Sequence, residues 1–348
     1  MSGNRSDTLN YKGEIHVDRR KFISSAALGI GASSVLAAID PIQAQGTVAP
    51  SQQPLIVITA PTGTIGGQVV ENVLAAGGRV RLIVRDPSRL SPQVRERVQV
   101  VQGSHSNADV VNRAFDGADT AFWLCPPDDQ AVSPMAAYVD FTRPAAEAFR
   151  SQGVRRVVGI SALGRGTPMA ANAGFVTASL AMDDLIASTG VGFRALTMPS
   201  FMDNIGRQAT PIKDRGVFFS PIDGDRKMPS CATRDIAASA ARLLLDPTWS
   251  GQGHLAVLGP EDISFNDMAL IMSDVVGKPV RFQRISFEDY KAMFIRFGMT
   301  DGMAQGMTDM ARAKSEGLDN TERRTAENTT PTSFRVWCEA DLKPLVRT

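Results

Sequence analysis

The sequence predicts an α/β protein in which a doubly wound parallel sheet carries a small, mostly helical C-terminal region. Residues 54–58 form an apolar, β-branched run that leads into a turn bearing Gly63, and a helix with apolar residues at helical spacing follows. Strand-like and helix-like segments then alternate as far as residue 198, which is the pattern of a parallel sheet covered by helices. With 348 residues, of which 43% are hydrophobic, the chain is long enough for a sizeable core.

Six strands and the helices between them are predicted up to residue 199. The first helix is expected to end at Gly77-Gly78, because glycine is favoured just after a helix C-terminus. The strands are predicted at 54–58, 79–84, 98–101, 119–125, 156–161 and 192–198. Further helices are predicted from about residue 107, at 134–151 and at 172–188. Together these segments define a first domain over residues 54–199.

Beyond residue 200 the alternation becomes irregular. Residues 216–229 are rich in Gly, Pro, Asp and Phe and predict a loop or short strands. One further short strand is predicted at 255–258. The helices are predicted at 234–245, 264–276, 286–297, 300–314 and from about residue 332. Residues 200–348 therefore define a smaller, mostly helical region.

The first 45 residues predict a targeting segment. The run Asp18-Arg19-Arg20-Lys21-Phe22-Ile23 resembles a twin-arginine export signal, and a small-residue cleavage site near Ala44 follows an uncharged stretch. Residues 46–53 predict a linker. We expect a periplasmic protein, or one that an uncleaved signal anchors; weak hydrophobicity argues against a stable membrane span. The alternative is a disordered cytoplasmic arm.

Composition argues against several classes of partner. The formal net charge is +1 without a block of like charge, so nothing favours a nucleic-acid partner. The three cysteines and three histidines are widely spaced, which predicts neither a disulfide framework nor a metal site. The pattern leaves open whether the protein is a monomer or a homodimer.

The turn after the first strand predicts a dinucleotide site. A strand, a tight turn and a helix place backbone N–H groups against a pyrophosphate. Ala60 stands where a first glycine is expected, and its methyl group can fit if the backbone there has negative φ. The alternative is an ordinary strand-to-helix turn that binds nothing. The cofactor-binding residues predicted here are Ala60, Thr62, Gly63, Thr64, Ile65 and Gly66.

The end of the second strand predicts the form of the cofactor. Arg85 precedes Asp86, which favours NADP(H) over NAD(H) because an arginine accommodates a 2′-phosphate; the alternative is a solvated loop charge. Ligands bind at the carboxyl ends of parallel strands, so further cofactor contacts are expected there. Those residues are Ser104, Leu124, Cys125, Pro126, Ser161 and Pro199. The residues predicted to line the substrate pocket follow the sixth strand and are Phe201, Met202 and Asn204.

Several motifs in this order resemble the NmrA-like group of atypical short-chain dehydrogenase/reductases. They lie at 59–67, 84–87, 124–127, 198–204, 233–238, 258–261 and 330–334, and the resemblance spans about residues 54–344. It implies a Rossmann-type NAD(P)(H)-binding domain, with a small C-terminal region that closes over the cofactor. Members are NAD(P)H-dependent reductases, of quinones or azo compounds for example, or cofactor-sensing regulators without turnover.

The sequence departs from the active short-chain dehydrogenases at their Tyr/Lys pair. In the active enzymes the Tyr donates a proton, and the Lys lowers the pKa of the Tyr. Alignment on the aspartates at 183 and 184 places Phe175 and Ser179 at those positions, and neither side chain can take over its role. The weak catalytic candidates that remain are Ser161, which can orient a carbonyl, and Tyr138 on the preceding helix. Alcohol oxidation by the usual Tyr/Lys mechanism is therefore disfavoured.

Two functions are consistent with these residues. Hydride transfer from NADPH to a small apolar or aromatic acceptor needs no tyrosine acid, because backbone donors can stabilise the oxyanion and water can protonate it. The alternative is a non-catalytic cofactor sensor, which the missing pair favours and the export signal disfavours.

Two further groups of residues have competing interpretations. Cys125 ends the fourth strand, and a small packed side chain is a better interpretation than a redox group. The C-terminal methionines form either an adaptable lid over a flat substrate or ordinary core. They are Met293, Met299, Met303, Met307 and Met310.

Overall fold

The computed structural model describes residues 53–126 and 128–347, so the predicted signal and nearly all of the linker lie outside the described residues. Its strands are β1 Leu55–Ile58, β2 Arg79–Val84, β3 Gln99–Gln102, β4 Thr120–Trp123, β5 Arg156–Ala162, β6 Gly192–Met198, β7 Ser200–Phe201, β8 Val217–Ser220, β9 Met228–Cys231, β10 Gln252–Ala256, β11 Asp262–Ile263 and β12 Arg281–Arg284. Its α-helices are α1 Thr64–Ala75, α2 Pro92–Arg95, α3 Ala108–Phe115, α4 Phe141–Ser151, α5 Phe175–Ala187, α6 Asp203–Gly206, α7 Ala209–Arg215, α8 Thr233–Leu245, α9 Phe265–Val276, α10 Phe287–Arg296, α11 Asp301–Glu316, α12 Phe334–Trp337 and α13 Lys343–Val346. Short 3₁₀ segments lie at Pro87–Arg89, Pro168–Asn172 and Leu318–Asn320, and π-helical turns at Ala136–Asp140 and Cys338–Leu342.

A seven-stranded sheet in the order β10-β6-β5-β4-β1-β2-β3 forms the centre of the protein. All of its neighbouring pairs are parallel. Strand β1 pairs with β2 on one side and with β4 on the other, so the strand order reverses beside β1. In open α/β sheets this reversal leaves a crevice at the carboxyl ends of the strands. The predicted doubly wound parallel sheet is confirmed.

Helices cover both faces of the sheet. Ile56 and Ile58 of β1 pack with α1 and α8, whereas Val57 faces the opposite layer, which contains α3, α4 and α5. All three side chains are at most 2% exposed. Burial of each such side chain contributes about 1.5–3 kcal/mol to folding. Burial on both faces explains why β1 is a continuous apolar run rather than an alternating one.

The main sheet extends beyond the predicted boundary at residue 199. Strand β10 adds to its edge through pairs such as Leu255 with Leu196, and helix α8 packs on α1. The short strand predicted at 255–258 is found at 252–256, because β6 supplies a backbone partner that polar residues can use as readily as apolar ones. Two smaller sheets, β11-β9-β7 and β12-β8, belong to the C-terminal region.

The helix predicted at 134–151 has a π-helical turn at Ala136–Asp140 before α4. Pro144 lies in the first turn of α4. Proline lacks an N–H donor, and its ring clashes with the carbonyl four residues earlier, here that of Asp140. A wider π turn that ends at Asp140 accommodates this clash, and apolar periodicity alone does not reveal it.

Helix α11 lies unusually close to the start of α5. A Cβ at Gly174 would lie 2.0 Å from the Gly306 carbonyl oxygen, and one at Gly302 would lie 2.1 Å from the Val132 carbonyl oxygen. The absence of side chains at these glycines therefore lets α11 pack closely against the start of α5 and against the backbone at Val132.

The docking of α11 predicts a specific cost for Gly174→Ala. Gly174 has φ +54 and an occupied Cβ position, whereas Gly153 has φ +68 and nothing within 4 Å of its Cβ position. We expect Gly153→Ala to lower the free energy of unfolding by about 1 kcal/mol and Gly174→Ala by about 2–4 kcal/mol. Urea unfolding of both variants measures the difference, and equal losses would contradict the close contact.

Candidate active site

The turn between β1 and α1 is built around the Ala60 carbonyl. The Gly63 N–H donates to this oxygen at 3.1 Å, and a Cβ at Gly66 would lie only 2.1 Å from it. Ala60 itself has φ +51, the sole positive value at a non-glycine among the described residues. The condition of negative φ at Ala60 is therefore not met: closing this turn places Ala60 in the left-handed backbone conformation that glycine adopts more readily.

The N-terminus of α1 presents free backbone donors. Its N-cap, Gly63, has no side chain to cap the helix, and the first bond back to this residue comes from the Gly67 N–H at 2.8 Å. The N–H groups of Thr64, Ile65 and Gly66 have no partner among the described residues. Uncapped donors at the positive end of a twelve-residue helix suit a pyrophosphate, so these residues fit a dinucleotide.

Polar contacts join the ends of β1 and β4 beside this turn. Thr59 is fully buried; its Oγ1 lies 3.1 Å from the Phe122 carbonyl and accepts from the Leu124 N–H at 2.9 Å. His105 Nε2 lies 3.1 Å from the Leu124 carbonyl and so donates to it. The His105 ring meets Trp123 edge-on, with 5.2 Å between the centroids. Burial lowers the pKa of His105 to about 4, so this side chain is neutral at pH 7.

His105 was not predicted as a site residue from the sequence, where the wide spacing of the histidines counted only against a metal site. Its position directly after Ser104, at the end of a strand, is a signal that was available. Among the described residues, no group of three potential metal-ligating side chains occurs.

At the end of β2, the arginine and the aspartate differ in their contacts. The Asp86 carboxylate accepts from the Ser88 hydroxyl at 2.6 Å and from the Ser88 N–H at 3.0 Å, and these bonds hold the pKa of Asp86 below its usual range. Asp86 thus caps the 3₁₀ turn that follows it. Arg85 is exposed, and its side chain has no hydrogen bond or ion pair within the described part of the chain.

Along α5, the side chains of Phe175, Ser179 and Asp183 share one buried face at four-residue intervals. The Ser161 hydroxyl, near the end of β5, donates to Asp183 Oδ2 at 2.5 Å. Burial raises the pKa of Asp183 to about 7, although the bond from Ser161 and the nearby Arg165 charge oppose the shift. The second carboxylate oxygen, Oδ1, has no partner among the described residues.

Apolar side chains cover the same end of the sheet. Phe175 meets the Tyr138 ring edge-on at 6.0 Å between centroids. Four of the five methionines noted in the sequence pack around these two rings, and they are Met299, Met303, Met307 and Met310. Burial raises the pKa of the Tyr138 hydroxyl well above its usual range.

The remaining predicted residues lie in different settings. Cys125 is buried, its thiol donates to the Ala137 carbonyl at 3.0 Å, and burial raises its pKa far above the usual range, which fits a packed side chain rather than a thiolate. Pro126 is exposed to an intermediate degree, and Pro199 directly follows β6. Phe201 is half-buried and Asn204 is exposed, but Met202, at 2% exposure, packs in the C-terminal core.

The positive φ of Ala60 predicts that Ala60→Gly stabilises the protein. Glycine removes the strain of the left-handed backbone conformation at residue 60, which stabilises the folded state by about 1–2 kcal/mol. The greater conformational freedom of glycine in the unfolded chain offsets part of this gain. We expect a net gain of roughly 0.5–1 kcal/mol in the free energy of unfolding. The control, Ala238→Gly, lies on the exposed face of α8 and should lose about 1 kcal/mol. A loss at both positions in urea unfolding would contradict the turn geometry.

The environment of Asp183 predicts a pH-dependent stability. A carboxyl whose pKa is raised to about 7 in the folded state binds protons that the unfolded state releases above pH 4, so stability falls as the pH rises towards 7. Between pH 5 and pH 8 the ionisation of Asp183 should lower the free energy of unfolding by on the order of 2 kcal/mol. Asp183→Asn should abolish that loss, whereas Asp184→Asn, at an exposed neighbour, should retain it. Urea unfolding at the two pH values measures both.

Comparison with known proteins places this site in context. The sequence profile of the NAD(P)H-binding family matches residues 61–247, and that of the NmrA-like family matches residues 186–335. The chain is 26% identical to an NAD(P)H azoreductase of Xenophilus azovorans over 256 residues, which cover 74% of this chain and 86% of the relative.

Two solved structures share the fold. The NADPH-dependent quinone oxidoreductase of Escherichia coli in complex with NADPH superposes with a TM-score of 0.63 at 22% identity, covering 75% of this chain and 89% of that one. The triphenylmethane reductase of Citrobacter sp. in complex with NADP(H) gives 0.68 at 19% identity, covering 84% and 100%. Because the first profile spans more than half of its residues, the chain belongs to the NAD(P)H-binding family, and its C-terminal part is NmrA-like.

Proposed function

We propose that this protein is an NAD(P)H-dependent reductase that delivers hydride to a flat, apolar acceptor of the quinone or azo class. The observation that carries the proposal is the occurrence, at the same end of one sheet, of a dinucleotide turn with three free N–H donors and a largely buried cluster of aromatic and methionine side chains. The similar proteins named above are an azoreductase, a quinone oxidoreductase and a triphenylmethane reductase.

The residues around the acceptor position set the type of chemistry. Phe175 and Ser179 replace the Tyr/Lys pair, so the site has no phenol held beside an ammonium group at this place. An acceptor that takes hydride without strong acid assistance is therefore favoured over an alcohol or a ketone. Phe175, Tyr138 and the neighbouring methionines provide apolar contacts that adapt to a planar ring system.

We further propose that NADPH is preferred to NADH. The Asp86 carboxylate is engaged by Ser88 in its own turn, whereas the exposed Arg85 guanidinium directly after β2 is available to a ligand. An arginine there favours a 2′-phosphate by direct ion pairing.

The alternative function is a non-catalytic cofactor sensor, which the replacement of the Tyr/Lys pair favours. It shares the dinucleotide turn but predicts binding without turnover. Export by the twin-arginine route, the proposal for residues 1–45, fits the reductase better, because a gene-regulatory partner lies in the cytoplasm. In the described part of the chain, the helices lack the length and apolarity needed to cross a bilayer.

The reductase proposal predicts acceptor-dependent loss of NADPH absorbance. The purified protein is mixed with NADPH and a panel of quinones, azo dyes and triphenylmethane dyes, and each rate is compared with a protein-free control. We expect oxidation of NADPH with at least one acceptor class. Tight NADPH binding with no oxidation by any acceptor would instead identify the sensor.

The NADPH preference predicts a selective defect in Arg85→Gln. Loss of the ion pair between residue 85 and the 2′-phosphate should raise the KM for NADPH about tenfold or more. The KM for NADH should change little, because NADH has no 2′-phosphate. Arg95→Gln, an exposed charge on α2, is the matched control and should leave both values unchanged. A parallel rise for NADPH and NADH in Arg85→Gln would show that this side chain does not read the 2′-phosphate.

A further inference from the structure

We propose that Ser161 is the proton donor of the reaction and that Asp183 stores the proton and passes it through the Ser161 hydroxyl to the reduced acceptor. This inference rests on the proposed reductase function. It assigns a role to a buried carboxyl group that the dinucleotide site does not use.

Position in the fold brings this pair to the reacting end of the sheet. Ser161 is the penultimate residue of β5, a strand in the middle of the sheet, and pairs with Thr197 of β6. Asp183 lies on α5 two turns after Phe175 and one turn after Ser179, on the buried face where the family resemblance places the Tyr/Lys pair. The Asp183 carboxyl is thus a polar group for proton transfer on the same face of α5, one turn further along the helix than Ser179.

The hydrogen bond between the two side chains can reverse. When Asp183 is ionised, Ser161 donates to Oδ2 and its proton is committed to the carboxylate. When Asp183 carries a proton, the carboxyl O–H donates to Ser161 Oγ, and the serine O–H is released to donate elsewhere. Only the protonated carboxyl therefore makes Ser161 a donor towards an acceptor.

The surroundings hold the carboxyl in the state that this role requires. Asp183 is 2% exposed, and its Oδ1 has no partner in the described residues, so burial disfavours the charge. Two charged groups act on it: Arg165 from the loop after β5, which favours ionisation, and Asp184 on the same helix, which opposes it. The Arg165 side chain is 48% exposed and lies 3.5 Å from Asp183 Oδ2, which marks the side from which solvent approaches.

The proton balance of the step follows from these contacts. Bound NAD(P)H supplies a hydride, which gives the acceptor two electrons and one hydrogen and leaves negative charge on an acceptor oxygen or nitrogen. The Ser161 O–H bond breaks as its proton moves to that atom. The Asp183 carboxyl O–H bond breaks in turn and restores the serine hydroxyl. The Asp183 carboxylate then recovers its proton from solvent water on the side of Arg165.

The test compares the pH dependence of kcat in three variants with that of the full-length wild type, using saturating NADPH and the best quinone or dye. In the wild type, kcat should fall above about pH 7, where Asp183 loses its proton. Asp183→Asn keeps the shape and a hydrogen bond to Ser161 but has no proton to release. It and Ser161→Ala should both be about tenfold slower or more at pH 6 and should lack this fall. Asp184→Asn should retain the rate at pH 6 and the fall, which shifts to lower pH because Asp184 opposes the ionisation of Asp183.

A second readout does not depend on turnover. Infrared difference spectra of the protein without NADPH should show a buried protonated carboxyl band at pH 6 that disappears as the pH passes about 7 and that Asp183→Asn lacks. Unchanged NADPH binding by Asp183→Asn, from fluorescence titration, excludes a loss of rate through the cofactor site.

The outcomes separate the two proposals. If the wild type turns over and Asp183→Asn keeps both its rate and its fall near pH 7, the relay is overturned and the reductase stands. If no acceptor is reduced by any form of the protein, the reductase proposal fails and the relay fails with it. A wild-type fall near pH 7 that both Asp183→Asn and Ser161→Ala abolish, with the infrared band assigned to Asp183, supports the relay.

Discussion

The contact between the Ala60 carbonyl and the backbone of Gly63 and Gly66 is the constraint on which the site depends. It closes the turn after β1, starts α1 at Thr64 and leaves the first N–H groups of that helix without partners. The helix is then anchored through apolar residues to the sheet and to α8, so its donors are fixed in direction. This arrangement holds Ala60 at positive φ, which strains the backbone at that residue.

The rest of the site is arranged around the reversal of strand order beside β1. Thr59 and His105 both contact the Leu124 backbone, so the ends of β1 and β4 are held by neutral hydrogen bonds rather than by charges. On the other side of β4, β5 brings Ser161 to Asp183, and α11 brings its methionines over Phe175. A polar crevice for a cofactor and an apolar cover for an acceptor thus adjoin one another at the carboxyl ends of the strands.

The sequence was sufficient for the sheet because its signals are local. Each of the six predicted strands is mostly apolar and lies next to turn residues, and Gly77 follows the end of α1 as expected. Edge strand β10 starts three residues earlier than predicted and ends two residues earlier, because its polar start at Gln252 is a strand only through its partner β6. The π turn before α4 and the φ of Ala60 also escaped prediction, since both result from contacts that a pattern of residue types does not show.

Prediction of the site was limited for a related physical reason. Glycines and strand ends in the sequence identify the expected dinucleotide site, because backbone N–H groups rather than side chains bind the pyrophosphate. The roles of His105 and Asp183 depend on burial and on partners 19 and 22 residues away in the chain, and Met202 turned inward because α6 starts directly after it. Side-chain environment therefore has to be read from the fold.

The most direct test of the account is an amide chemical-shift titration of the protein with NADPH, using labelled isoleucine and glycine. If the turn binds the cofactor, the Ile65 and Gly66 amide signals shift with NADPH, and an equal concentration of inorganic phosphate has far less effect. If NADPH binds while the Ile65 and Gly66 amides stay unchanged, the turn after β1 is not the cofactor site, and the central claim is contradicted.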